Sequence, residues 1–102
     1  MTASEVFADN VKIYAKANGI TMADIETESG VSVGYLSRIK KRHTFIALDN
    51  AIKISDFLQL PLETLLDPEF GKKVKRVTIQ RRIQELEAEK AQLLSELGGD
   101  GT

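Results

Sequence analysis

The stretch that decides the fold is Thr21–Arg42, TMADIETESGVSVGYLSRIKKR. Thr21, a strong helix-capping residue, precedes a short segment in which Ile25 is the inward-facing position, and Asp24 in its first turn suits a helix N-terminus. Gly30 ends that helix after two turns, because glycine adopts the left-handed conformation at no steric cost. Ser32 then reads as the cap of a further helix, SVGYLSRIKKR, with Leu36 and Ile39 on its apolar side. Two short helices joined by a tight turn opening on glycine form a compact corner in which the second helix presents a polar, basic face outward.

Upstream, Thr2-x-x-Glu5 is a capping-box pattern, followed by Val6, Phe7, Val11, Tyr14 and Ala15 at helical spacing; Asn18-Gly19 stops that helix near Ala17. Downstream, His43–Ile46 is a loop, residues 47–58 form a helix carrying Leu48, Ala51, Ile52, Ile54, Phe57 and Leu58, and PLETLL is a short fifth helix. Alternating strand patterns are absent, so the chain reads as all-α. Asp67-Pro68-Glu69 then combines a cap, a first-position proline and an acid, and starts a new helix. The expected division is a five-helix domain over 1–67, a long helix over 68–97 of about 45 Å at 1.5 Å per residue, and a disordered tail over 98–102.

In order and spacing, these motifs resemble the Xre/Cro-like helix-turn-helix family of phage and bacterial repressors. Members read "LTQ" at the start of helix two, then "GVS", "ISR" and "L-D-x-L-x-K-I-A". Here the corresponding stretches are Ile20-Thr21-Met22, Gly30-Val31-Ser32, Leu36-Ser37-Arg38 and Leu48-Asp49-Asn50-Ala51-Ile52-Lys53-Ile54, closed by Leu62-Glu63-Thr64-Leu65-Leu66. The resemblance implies a lambda-repressor-like fold and a transcriptional regulator whose third helix enters the DNA major groove. It assigns base-edge contact to Ser32, Val33, Gly34, Ser37 and Arg38. Arg38 suits a guanine, Val33 a thymine methyl, and Ser37 any of several bases. Phosphate contact falls to Thr21, at a helix N-terminus, to Tyr35, and to Lys40, Lys41, Arg42 and His43. Departures from the family pattern are Met22 for a phosphate-gripping glutamine, Arg42 for a glycine and Ile46 for a proline. Lys40 replaces a glutamate that elsewhere pairs with an arginine of helix one; the matching helix-one position is read as Ala15.

The net charge is −1, but it is segregated. Lys72, Lys73, Lys75, Arg76, Arg81 and Arg82 form a run without an acid, followed by an acidic stretch. Within the C-terminal helix, Ile79, Ile83, Leu86, Lys90, Leu93 and Leu97 recur at spacings of four and three, the heptad seam of a coiled coil with one lysine in it. Leu94 widens the stripe. Pairing of two copies, folding back onto the chain's own domain, and docking of another protein are all compatible with the pattern. Arg82 meets Glu87 across a parallel pair and also finds a glutamate in an antiparallel one, so the orientation stays open here. A homodimer would present two reading helices to a palindromic operator with half-sites about one helical turn apart.

The chain has no cysteine and one histidine, so zinc–thiolate sites are excluded. No nucleophile–base–acid set, phosphate-cradling glycine loop or metal cluster occurs, and neither catalysis nor a cofactor is expected. No membrane span or secretory leader is read, which fits the cytoplasm. Two other functions fit the same residues: an antitoxin whose C-terminal segment binds its toxin, and an adaptor that assembles proteins without DNA.

Overall fold

The computed structural model describes residues 1–100. Among them are six helices and no strand: α1 (Ala3–Ala17), α2 (Met22–Ser29), α3 (Tyr35–Arg42), α4 (Leu48–Leu58), α5 (Leu62–Leu65) and α6 (Pro68–Asp100). Most ends follow the expected local chemistry. The Thr2 hydroxyl accepts from the Glu5 N–H at 3.1 Å while the Glu5 carboxylate accepts from the Thr2 N–H, completing the capping box of α1. That backbone N–H holds the Glu5 carboxyl below its ordinary pKa. Thr21 caps α2 through the Asp24 N–H, and Gly30 closes it at φ +84°.

The core is built from one face of each of the first five helices. Phe7, Val11, Ile25, Leu36, Ile39, Ile54 and Leu65 are fully buried. Each contributes roughly 1.5–3 kcal/mol relative to exposure. Not every apolar residue of α4 joins them: Leu48 and Ile52 stay exposed beside Phe45, while Ala51, Ile54 and Leu58 turn inward.

Two features differ from the sequence reading. The third helix begins at Tyr35, two residues later than a Ser32 cap implies, and Ser32–Gly34 form a turn ahead of it. The last helix continues through Gly98 and Gly99 to Asp100, where a disordered tail was expected; residues 101–102 of that tail lie outside the described residues. Backbone propagation from a long preceding helix outweighs the penalty of about 1 kcal/mol per glycine.

α6 divides its surface between two tasks. Its first turns lie on α1: Phe70 is buried and meets the Tyr14 ring edge-on, with centroids 6.2 Å apart. Gly71 permits the approach, since a Cβ there would sit 2.8 Å from Ile13 Cδ1 and 2.9 Å from Asn10 Oδ1. The buried Asn10 side chain donates to the carbonyls of Leu65 (2.9 Å) and Asp67 (2.8 Å), fastening α1 to the corner between α5 and α6. Beyond Arg81 the helix leaves the domain. Ile79, Ile83, Leu86, Leu93 and Leu97 are 47–70% exposed, so the heptad stripe is uncovered in the single chain.

Asn10→Ala removes the shared donor and leaves two carbonyls without it. The expected loss is about 1–3 kcal/mol, read as a lowered thermal midpoint with helical content retained in the native state.

Candidate nucleic-acid interface

The site grows from the turn between α2 and α3. The Glu26 side chain is buried, and its two oxygens accept from the N–H groups of Gly34 (3.1 Å) and Leu36 (3.0 Å). A carboxylate thus takes the capping position expected of Ser32, where backbone donors and the positive end of the helix offset its burial. Gly34 is compelled by conformation: it sits at φ +87°, and a Cβ would lie 3.1 Å from Arg38 Nη1.

Freed from capping, the Ser32 hydroxyl accepts from Arg38 Nη2 at 2.9 Å, and the Val33 carbonyl lies 3.4 Å from Nη1. The Arg38 fork is therefore laid across the turn in front of its own helix. It has no carboxylate partner among the described residues. A guanidinium carries five N–H donors, so those not used on the turn remain free for an acceptor pair. Val33 is 59% exposed, an apolar side chain offered to solvent at the same end of α3. Ser37 and Lys41, four residues apart, share one exposed face of the helix, with Leu36 and Ile39 on the opposite, buried side.

Among the residues assigned to phosphate, Thr21 uses its oxygen as the α2 cap and keeps its O–H to donate. The Tyr35 hydroxyl accepts from the Ala47 N–H at 2.9 Å, at the start of α4, and likewise retains a donor. Arg42 is exposed at the last turn of α3, and His43 ends the helix in the left-handed conformation at φ +52°. Lys40 is engaged otherwise: its Nζ lies 2.6 Å from Asp9 Oδ1. Its partner on α1 is Asp9, which faces α3, while Ala15 is buried in the core. The ion pair joins α1 to α3 with the cation on α3.

The fold also brings in a residue that the sequence reading passed over. A shallow cleft between α1, α2 and α3 gathers Lys12, Ser37, Lys40 and Lys41 around Met22. Lys12 comes from α1, one turn beyond the buried Ala8, and only the packing of α1 against the corner places it beside α3. Met22 is half-buried against the core, so its thioether packs while the cations surround it.

A family model described as helix-turn-helix matches residues 11–65. That span covers more than half of the chain and contains the α2–turn–α3 unit. The chain belongs to the Xre/Cro-like helix-turn-helix family. Membership brings the coarse function of a DNA-binding transcription regulator and points away from an enzymatic domain. No curated protein and no solved structure matches the chain. No helix among the described residues is long and apolar enough to cross a membrane, and no group of potential metal ligands occurs among them.

Glu26→Gln keeps one acceptor but sets an amide donor against a backbone N–H, with an expected loss of about 1–3 kcal/mol. Ser32→Ala is expected to change stability by less than about 0.5 kcal/mol, below the typical cost of about 1 kcal/mol for losing a serine cap. Chemical denaturation of the two variants checks both, and a costly Ser32→Ala would contradict the capping arrangement.

Proposed function

We propose that this helix-turn-helix regulator is a repressor of phage or mobile-element type that reads a palindromic operator in double-stranded DNA as a homodimer joined through α6. The observation that carries direct readout is the pose of Arg38. Its fork is buttressed by Ser32 and the Val33 carbonyl at the open end of α3, with no acid to neutralise it. Side-chain entropy is thereby lost before binding, which favours a bidentate grip on guanine O6 and N7. Val33 beside it suits a thymine methyl, Ser37 adds a less discriminating hydrogen bond, and Ser32 and Gly34 shape the turn that approaches the base edges. Thr21, Tyr35, Lys41, Arg42 and His43 contribute phosphate contacts, joined by Lys12. Lys40 contributes through its charge while holding Asp9.

Repression is the direct outcome of a helix-turn-helix domain occupying an operator. Dimerisation is supported by the uncovered heptad stripe on α6 and by the few base pairs that one reading helix spans. A cytoplasmic location fits a chromosomal or phage DNA target.

Selection from a random duplex pool tests the proposal. The expected result is an inverted repeat containing guanine. Arg38→Ala should weaken its binding by about 1–3 kcal/mol and relax the preference at that guanine. Lys41→Ala should weaken binding evenly across sequences and lower the salt slope by about one. Failure to enrich any sequence at moderate salt would overturn direct readout.

A further inference from the structure

We propose that two copies of this chain pair through α6 in antiparallel orientation, with the two-fold axis at Ala88, Arg82 of each helix beside Glu96 of the other, and no seam cation facing its own copy. The proposal rests on the reading of α6 as a self-pairing helix and settles the orientation that the heptad leaves open.

The first observation is the separation of faces. At about 100° per residue, Phe70, Gly71 and Val74, which pack on α1, lie roughly 140° around the helix from Ile79, Ile83, Leu86, Leu93 and Leu97. The globular domain therefore leaves the stripe open along its length, and those five residues are 47–70% exposed.

The second is the charge along the helix. Residues 70–83 hold six Lys or Arg and no acid, whereas residues 84–97 hold four Glu and one Lys. Parallel pairing superposes like on like and sets Arg76 against Arg76 and Lys90 against Lys90 in the seam itself. Antiparallel pairing about Ala88 lays residues 79–83, with Arg81 and Arg82, over the partner's residues 93–97, with Glu96, and neither Arg76 nor Lys90 meets its own copy. In this register Ile79 meets the partner's Leu97, Ile83 meets the partner's Leu93, and Lys90 faces the partner's Leu86. Arg82, which in the single chain has only an exposed contact to Glu85 at 3.4 Å, reaches the partner's Glu96. Glu89 lies near its own copy across the axis, with a Lys90 ammonium on either side. Glu87 also faces its own copy, at the solvated rim where salt screens the repulsion.

The third is what lies at the end of the seam. A shallow apolar groove lined by Ile13, Ala17, Val74 and Ile79 opens between α1 and α6. The antiparallel register brings the partner's Leu97 to its mouth, so the domain itself borders the interface. The anchors of the two domains at Phe70 then stand about 50 Å apart along the paired helices.

The chain has no cysteine, so introduced thiols report without background. In the full-length protein under mild oxidation, Glu87→Cys should form a disulfide-linked dimer, because the two copies of this rim position face each other only in the antiparallel arrangement. A mixture of Ile83→Cys and Leu93→Cys should give the mixed disulfide, and Ile83→Cys alone should not cross-link. Arg82→Glu should weaken the dimer seen by sedimentation, and adding Glu96→Arg should restore it. Cross-linking of Ile83→Cys to itself, with rescue of Arg82→Glu by Glu87→Arg, would overturn the proposal in favour of parallel pairing. A monomer in sedimentation would overturn it in favour of a different partner for α6. None of these readouts involves DNA, so operator binding by the same preparation separates failure of the orientation from failure of the regulator reading.

Discussion

A buried carboxylate organises the reading end of this molecule. Glu26 has its charge inside the protein, an arrangement that costs several kcal/mol for an unpartnered ion. Here the opposing terms are two backbone donors, those of Gly34 and Leu36, at the positive end of α3. Because both N–H groups must converge on one side chain of α2, the angle between α2 and α3 and the shape of the intervening turn are set together. Gly34 follows from this, since only a residue without Cβ combines φ +87° with the nearby guanidinium. Ser32 is then released from capping and turned toward Arg38. The pose of Arg38 thus descends from a buried residue on the neighbouring helix.

The pair Lys40–Asp9 shows the same economy at lower stakes. It is partly solvated, and pairs of that kind contribute about 0–1 kcal/mol. Its value lies in position: it spans α1 and α3 and puts the cation on α3. With Lys12, Lys41 and Arg42 unmatched by close acids, the corner carries a local positive field that the near-neutral total charge conceals.

Most helix limits were legible because their signals are local. Thr2 with Glu5, Thr21, Gly30 and Asp67-Pro68 act within one turn, and a pattern of neighbours suffices to read them. The start of α3 was misread because Ser32 carries the local signature of a cap while the group that fills the role comes from another helix, eight and ten residues from its partners. Asn10 escaped notice for a related reason: its partners are 55 and 57 residues away. Lys12 and Asp9 acquire meaning only once α1 lies against α3. Apolar spacing showed that α6 has a stripe, but not that Phe70, Gly71 and Val74 belong to a different one facing α1. The family resemblance assigned DNA contacts to positions along the chain; the poses of Arg38 and Tyr35 depend on contacts that no spacing encodes.

The root of α6 has a mechanical consequence. Gly71 and Asn10 clamp the helix at one end, and about 40 Å of it extends from that clamp to Leu97. It is a lever with its fulcrum inside the core. A tilt of ~10° at the fulcrum carries the tip through ~7 Å, more than a full helical turn of 5.4 Å. Substitutions at Asn10 or Gly71 touch neither α3 nor the heptad stripe, yet they set where the far end of α6 stands. Variation in the geometry of target recognition among proteins built this way is thus open to selection at a hinge buried far from the nucleic acid.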